Sequence, residues 1–320
     1  MQQSIWKWML FGAASVLAAS AQAQFPTKPI RLIVPFPAGG TADFAARVIT
    51  QPISQALSQT IVVDDRGGAD GAVAGLLVMN AQPDGYTLFF ATNSPMSAVP
   101  TLHRNPPYDV MKDFTPITML GRFTFFLFTT PSLPARSVKE LIEYAKANPG
   151  KLNYGTGNTT AIIATAQMKA LTGTDMQQIP YKGDAPTTAD MLGGRIQLAF
   201  MSLSPGFAQA KEGKLRMLAV LLEKRTPLAP DVPTLTEAGL PGITIAPWAG
   251  LFGPAKLPKP IVDQLSREFG AALNRPEVRQ QLSTQGFEAE GSTPQKLADF
   301  TYAQLGLWTK IIREANIPME

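Results

Sequence analysis

Strand-like hydrophobic runs alternate with helical ones along nearly the whole of this 320-residue chain. This alternation predicts an α/β fold with mostly parallel strands. Pro52 falls inside the first helical pattern, where we expect it to bend or break the helix. The predicted strands are at residues 30–34, 60–63, 86–92, 123–128, 152–154, 177–179, 196–200 and 215–222. The predicted helices are at residues 42–59, 72–80, 138–148, 160–171 and 185–192.

The end of the chain indicates two domains. Strand-like runs at 243–248 and 251–254 precede three helical stretches, the last at 294–316, which need a sheet to cover. The first series of strands has room for them, so the chain is expected to cross between domains twice, near residues 122 and 247. The predicted domains share a cleft and consist of residues 24–122 with 248–320, and residues 123–247.

The N-terminus has the pattern of a secretory signal peptide. Lys7 is followed by an apolar stretch and then by Ala21-Gln22-Ala23, a typical cleavage sequence. We therefore expect residues 1–23 to be removed, the mature chain to begin at Gln24 in the periplasm, and the mature protein to be soluble. The sequence has no cysteine, which excludes disulfides, thiolate metal sites and a lipid-anchoring cysteine.

The charge balance gives little support to nucleic acid binding. The full chain has 28 Lys and Arg against 24 Asp and Glu, and removal of Lys7 with the signal peptide leaves 27 against 24, a net charge of +3. Basic residues are not clustered with aromatic ones, and the charges alternate in sign along the helices. A slight attraction for small anions is all that this excess indicates.

A glycine pair marks the first candidate site. Gly39 and Gly40 lie between the strand 30–34 and the helix that begins near Ala42. The free N–H groups of such a strand-to-helix turn, together with the helix dipole, can bind an anion. Asp43 has a simpler interpretation as an acid in the first helical turn.

A second glycine turn occurs in the other predicted domain. Gly155 and Gly157 lie between a strand and a helix, and Asn158, Thr159 or Thr160 could cap that helix while donating hydrogen bonds to a ligand. A simple capped turn is an equally good interpretation. In a third segment, residues 180–186, Asp184 is expected to be a helix N-cap, whereas Lys182 could be a ligand contact or a solvated charge.

A carboxylate fits these turns better than phosphate does. Neither turn has the P-loop pattern, and the partial G-x-G-x-x-G match at Gly155 is weak. Charge-assisted hydrogen bonds contribute roughly 1.5 to 3 kcal/mol each. Three or four of them, after ordering costs, reach the roughly 8 kcal/mol of a micromolar complex.

Catalysis has little support in the sequence. His103 is the only histidine, no G-x-S-x-G motif is present, and the pair Asp64-Asp65 is typical of solvated loop charges. The phenylalanines of 123–128 are expected in the core. Trp248, beside a predicted crossover, is a better candidate for the wall of a cleft.

Residues 25–40 resemble the mature start of the Bug-type receptors, the periplasmic solute-binding proteins of tripartite tricarboxylate transporters; their sequence is FPTKPIRLIVPFPAGG. The resemblance covers nearly the whole mature chain. It continues through residues 83–88, 180–183, 192–194, 231–239 and 250–255. It implies a two-domain periplasmic binding protein fold of type II, the Venus flytrap, with two chain crossovers and a cleft that closes on a carboxylate.

By matching motif, residues 36–43 and 155–160 would be the carboxylate loops. Family members often carry an Asp-Asn pair where this chain has Met201-Ser202, so a partner for a ligand amino group is missing. We therefore expect a carboxylate without an ammonium group, with Met201 and Trp248 as apolar walls. The candidate ligand-binding residues are Phe36, Ala38, Gly39, Gly40, Thr41, Ala42, Asp43, Asn93, Ser94, Thr156, Gly157, Asn158, Thr159, Thr160, Lys182, Asp184, Met201, Ser202 and Trp248.

Together these features predict a non-enzymatic receptor that captures a small organic carboxylate, either aromatic or dicarboxylic, and delivers it to membrane-embedded transporter subunits. We expect a monomer without cofactor, metal or nucleic acid. Two alternatives stay open: a secreted hydrolase of carboxylate esters, and a ligand-reporting partner of a membrane sensor.

Overall fold

A computed structural model of the chain describes residues 25–243, 245, 247–314, 317 and 319. The predicted signal peptide, 1–23, and the expected mature N-terminus, Gln24, lie outside these residues. The strands are β1 Ile30–Val34, β2 Ile61–Asp65, β3 Thr87–Thr92, β4 Phe114–Phe123, β5 Phe125–Thr129, β6 Asn153–Thr156, β7 Gln177–Pro180, β8 Leu198–Ser202, β9 Arg216–Val220, β10 Trp248–Pro254 and β11 Phe287–Ala289. The helices are α1 Thr41–Ala56, α2 Ala72–Met79, α3 Val99–Leu102, α4 Val110–Asp113, α5 Val138–Ala147, α6 Thr159–Thr172, α7 Asp184–Leu192, α8 Leu203–Lys211, α9 Lys259–Leu273, α10 Pro276–Thr284 and α11 Pro294–Glu314.

The strands form two sheets. The first sheet has six strands in the order β11-β4-β10-β3-β1-β2, and the second has five in the order β7-β6-β8-β5-β9. We call the part of the chain around the first sheet lobe 1 and the part around the second sheet lobe 2. The C-terminal helices belong to lobe 1, since α9 and α11 both pack against β4. This is where the sequence placed them.

The chain passes between the lobes at two places. Strand β4 of the first sheet ends at Phe123, and β5 of the second begins at Phe125, so a single residue separates the sheets. The return passes through Pro247 into β10, which begins at Trp248. The N–H of Phe123 donates to the carbonyl of Pro247 over 3.0 Å, so the two crossovers are bonded side by side.

The sheets are mixed, and the prediction of mostly parallel strands is wrong. β1 is parallel to β2 and β3, and β6 is parallel to β7 and β8. The remaining pairs, β10 with β3 and β4, β11 with β4, and β5 with β8 and β9, are antiparallel. Each of these antiparallel pairs includes β4, β5 or β10, which are the strands that carry the chain between the lobes.

Three other expectations need correction. The predicted strand 123–128 is divided between β4 and β5 at Thr124, and the sequence prediction missed residues 114–122 of β4 together with β11, α3, α4 and α8. Helix α1 is not broken at Pro52 but continues to Ala56. Pro52 lies in the penultimate turn and is buried, so packing offsets the one lost backbone hydrogen bond. In the described part of the chain, no helix is both long and apolar enough to cross a bilayer.

Candidate functional site

A cavity of about 310 Å³ lies between the two lobes, a volume suited to a small molecule. Both lobes and both crossovers contribute to its wall. The lining residues are Phe36, Pro37, Ala38, Gly39, Gly40, Thr41, Ala42, Thr92, Asn93, Ser94, Phe123, Phe125, Gly157, Asn158, Thr160, Lys182, Gly183, Asp184, Ala185, Pro186, Ser202 and Pro247.

The first glycine turn places the start of helix α1 at the cavity. Gly40 occupies the N-cap position in an extended conformation and offers no side chain to the helix. The first hydrogen bond of the helix is donated by the Phe44 N–H to the Gly40 carbonyl, over 3.0 Å. The N–H groups of residues 41–43 precede that bond and have no partner within the helix. This end of α1 therefore presents backbone donors and the positive end of the helix dipole.

Asp43 is held beside this turn by two contacts of its carboxylate. One of its oxygens accepts the Gly39 N–H over 2.9 Å, and the other pairs with the Arg47 Nε over 2.6 Å. The expected first-turn acid is therefore present. Its role is to fix the turn, and it does not line the cavity.

Two hydroxyl groups add polar character to the same region. Thr41 and Thr92 both line the cavity, and the Oγ1 of each is buried without a hydrogen-bond partner among the described residues. Thr92 is only 2% exposed. Since a buried hydroxyl without a partner is destabilising, these two groups are suited to a ligand that supplies the missing bond.

The second glycine turn is closed by its own side chains. Asn158 is the N-cap of α6, and its Oδ1 accepts the Ala161 N–H over 3.0 Å. A Cβ on Gly157 would lie 2.5 Å from the backbone of Gly183, so only glycine permits these two loops to approach. The capping interpretation of Asn158 is thus correct, and this turn also packs directly on the third segment.

Asp184 joins three segments of lobe 2. Its Oδ1 accepts from the Asn158 Nδ2 over 2.8 Å, and its Oδ2 accepts from the N and Oγ of Ser202 over 2.9 and 2.6 Å. Burial raises the pKa of Asp184, and the bonds from Ser202 and Asn158 oppose that rise. The expectation that Asp184 is an N-cap is wrong. Gly183 has the N-cap position, and Asp184 is the first residue of α7.

One buried side-chain bond links the lobes at the cavity. The Nδ2 of Asn93, just after β3 in lobe 1, donates to the Oγ1 of Thr160 in the first turn of α6 over 2.9 Å. The Oδ1 of Asn93 accepts the N–H of Trp248 at a longer 3.4 Å. Asn93 therefore ties the return crossover and lobe 2 to the end of β3.

Fourteen of the predicted residues line the cavity and five do not. Those that line it are Phe36, Ala38, Gly39, Gly40, Thr41, Ala42, Asn93, Ser94, Gly157, Asn158, Thr160, Lys182, Asp184 and Ser202. Those that do not are Asp43, Thr156, Thr159, Met201 and Trp248. Thr156 accepts a bond from the Gln178 amide instead, and Thr159 is fully buried.

Strand pairing explains why Met201 does not line the cavity. In the antiparallel pair of β5 and β8, Phe125 is opposite Ser202, and Phe126 is opposite Met201. Successive side chains point to opposite faces of a sheet. Phe125 and Ser202 therefore face the cavity, while Phe126 and Met201 face the core of lobe 2, where both are fully buried.

Trp248 likewise does not line the cavity. Its side chain is fully buried in lobe 1 and packs edge-on against Phe300 of α11, with ring centroids 5.2 Å apart. Its neighbour Pro247 lines the cavity instead.

Sequence reasoning missed the aromatic part of the wall. Phe123 and Phe125 were expected in the core, and each is only 6% exposed, yet both line the cavity. Residues two apart in an extended chain share a face, which is the signal that could have paired them. The other lining residues outside the predicted set are Pro37, Thr92, Gly183, Ala185, Pro186 and Pro247.

The described lining has little of what hydrolysis or metal binding requires. It contains no histidine, because His103 follows α3 outside the cavity. Over the described residues, no group of three His, Cys, Asp or Glu side chains could hold a metal ion. Asp64 and Asp65, at the end of β2, form ion pairs with Arg31, Arg66 and Arg47.

Comparison with known proteins places the chain in a family. The family model described as "Tripartite tricarboxylate transporter family receptor" matches residues 45–317. Protein BugT of Bordetella pertussis is 31% identical over 315 residues, which cover 97% of each chain. A UPF0065 protein from the tcbD-tcbE intergenic region of Pseudomonas sp. strain P51 is 32% identical, with 95% of this chain and 93% of the relative covered.

Solved structures agree with these relatives. The periplasmic binding protein BugD is 30% identical with a TM-score of 0.84, covering 92% of this chain and 100% of BugD. Rpa4515 of R. palustris, solved with adipate, is 34% identical with a TM-score of 0.86 and covers 92% of this chain and 99% of its own. MatC of Rhodopseudomonas palustris, solved with malate, is 28% identical with a TM-score of 0.82, and the match covers 90% of this chain and 100% of MatC. The chain belongs to the receptor family of the tripartite tricarboxylate transporters and has the two-lobed fold of a periplasmic binding protein.

Proposed function

We propose that this protein is a periplasmic receptor that binds a small organic carboxylate between its lobes and delivers it to membrane-embedded transporter subunits. The observation that supports the proposal most strongly is that the start of α1, which has no side-chain cap, and the capped start of α6 line the same cavity. The adipate and malate bound by two structural relatives support the same chemical class.

The start of α1 can hold the carboxylate group. The N–H groups of Thr41 and Ala42 and the hydroxyls of Thr41 and Thr92 are donors in the lining of the cavity. Charge-assisted bonds of this kind contribute roughly 1.5 to 3 kcal/mol each, so four of them contribute about 6 to 12 kcal/mol, a range that includes the roughly 8 kcal/mol of a micromolar complex. An arginine clamp is not required.

A ligand ammonium group finds no ready partner in this cavity. Asp184 is the one acid of the lining, and both of its oxygens already accept bonds from Asn158 and Ser202. Binding an ammonium there would compete with those bonds. We therefore propose a carboxylate without an amino group.

We propose that the ligand leaves chemically unchanged. The rival, an ester hydrolase, needs a nucleophile activated by an adjacent base. His103 lies outside the lining, and the Ser202 hydroxyl in the lining donates to Asp184. Selective capture would instead come from closure of the lobes, since the donors of lobe 1 and the surface of lobe 2 contact the ligand together only in the closed state.

The location and the assembly state are part of the same proposal. The predicted signal peptide at residues 1–23 would export the chain, and the family of periplasmic receptors to which it belongs supports that location. We propose a monomer that docks on its membrane partner when loaded.

Calorimetry with matched ligand pairs tests the proposal. Each acid is titrated beside its primary amide, which keeps the shape and removes the charge. Carboxylates should bind with micromolar dissociation constants, and the amides should bind at least tenfold more weakly. Equal binding of acid and amide, or tight binding of amino acids alone, would contradict the proposal. Native mass spectrometry of the co-purified small molecule would name the physiological acid.

A further inference from the structure

The apolar part of the cavity is built by the crossovers themselves. Phe123 and Phe125 flank Thr124 on the outgoing crossover, and Pro247 lies on the return. Phe123 is held in place by an edge-on contact with Phe287, with ring centroids 4.9 Å apart. Phe125 is fixed by the register that pairs it with Ser202. Together these side chains form a preorganised apolar floor.

Phe36 extends this floor on the side of lobe 1. It belongs to the turn that carries Gly39 and Gly40, and it lines the same cavity. The donors at the start of α1 and the apolar floor therefore belong to the lining of the same cavity. A ligand that fits both has a charged end and a flat or bulky apolar body.

The charges of the lining favour a single negative charge on the ligand. Of the 22 lining residues, only Lys182 and Asp184 are charged, with opposite signs. One carboxylate is provided for by the N–H groups and hydroxyls at the start of α1. A second carboxylate would find Lys182 as the one cation of the described lining, and the charge of that exposed side chain is screened by solvent and offset by Asp184.

We propose that this receptor selects monocarboxylates with an aromatic or similarly bulky apolar body, and that Phe123 and Phe125 determine this selectivity. The inference rests on the proposed function, since it concerns the ligand of the same site. It differs from the ligands of the two structural relatives, adipate and malate, which are dicarboxylates.

Calorimetry with benzoate, cyclohexanecarboxylate, propionate and adipate tests the ligand class. Benzoate should bind about tenfold or more tightly than propionate, because its ring buries apolar surface on the floor. Cyclohexanecarboxylate should lie between them, and adipate should bind more weakly than benzoate. Propionate or adipate binding as tightly as benzoate would overturn the inference but leave the carboxylate receptor standing. Binding of none of the four acids would overturn the proposed function as well.

Variants test the two phenylalanines. Phe125→Leu keeps an apolar side chain and should weaken benzoate binding about threefold to tenfold more than it weakens propionate binding. Phe126→Leu is the matched control, since Phe126 is the next residue on β5 and faces the core of lobe 2. It should lower the melting temperature without changing the ratio of benzoate to propionate affinity. An unchanged ratio in Phe125→Leu and in Phe123→Leu, with both proteins folded, would overturn the inference.

Discussion

The two glycine turns that meet at the cavity look alike in sequence and differ in what satisfies their donors. At the start of α1, Gly40 offers no capping side chain, so backbone N–H groups are left for a ligand. At the start of α6, Asn158 caps the helix and is itself bonded to Asp184. The first turn thus has no side-chain cap for its N–H groups, whereas the second commits one N–H, that of Ala161, to the Asn158 cap.

The acids beside the two turns show the same contrast. Asp43 is neutralised by Arg47 and braces the Gly39 N–H. Asp184 has no ion-pair partner in the described part of the chain and is held by uncharged donors. The difference supports our proposal that lobe 1 binds the anion and that lobe 2 supplies a fixed surface against which lobe 1 closes.

Removal of Asp184 should have the largest effect on stability. Asp184→Ala leaves the donors of Asn158 and Ser202 without their acceptor, and the free energy of unfolding should fall by about 3 kcal/mol. Asp43→Ala is the matched control in lobe 1 and should lose less, because Arg47 is half exposed. Urea denaturation measures both. A larger loss in Asp43→Ala would reverse the assigned roles of the two acids.

Alanine substitutions at Gly157 and Gly39 should distinguish a loss of stability caused by a steric clash from one caused by backbone strain. At Gly157 the new Cβ would lie 2.5 Å from the Gly183 backbone, so Gly157→Ala should lose about 2 kcal/mol of stability and shift the third segment. Gly39 has a φ of 85° and open space around it, so Gly39→Ala should lose only about 1 kcal/mol. Thermal unfolding of the two variants side by side checks this order. Equal losses would mean that the loops of lobe 2 do not touch as described.

Loss of the hydrogen bond between Asn93 of lobe 1 and Thr160 of lobe 2 should have the smallest of these effects. Asn93→Ala removes the donor to Thr160, and carboxylate affinity should fall about fivefold, equivalent to about 1 kcal/mol. Thr160→Val removes the acceptor with little change in shape and should give a similar loss. If the double variant loses the sum of the two single losses, the residues do not act through this bond.

Local sequence pattern was sufficient for the parts of the site that depend on neighbouring residues. Both glycine turns and the Asn158 cap follow from motifs a few residues long. The choice between Phe125 and Phe126, and between Ser202 and Met201, depends on the register of β5 on β8. A shift of one residue exchanges the two faces, and local pattern does not specify it.

Elements with weak local signals were missed for physical reasons. β4 contains Pro116 and Gly121, which are both disfavoured within strands, and it is largely buried, so hydrophobic alternation is absent. Helix α8 contains Gly206, a poor helix former, yet a Cβ there would lie 2.8 Å from Phe128. Its close packing on lobe 2 therefore outweighs its propensity.

The most direct test of the account removes one backbone donor at the start of α1. Thr41 is the first residue of the helix and Gly40 before it is extended, so Thr41→Pro fits the backbone and deletes the N–H. Thr41→Ala is the matched control that deletes the hydroxyl alone. In benzoate calorimetry, or with whichever carboxylate co-purifies, Thr41→Pro should bind about tenfold more weakly than Thr41→Ala at unchanged melting temperature. Equal affinities of the two folded variants would contradict the claim that this turn binds the carboxylate.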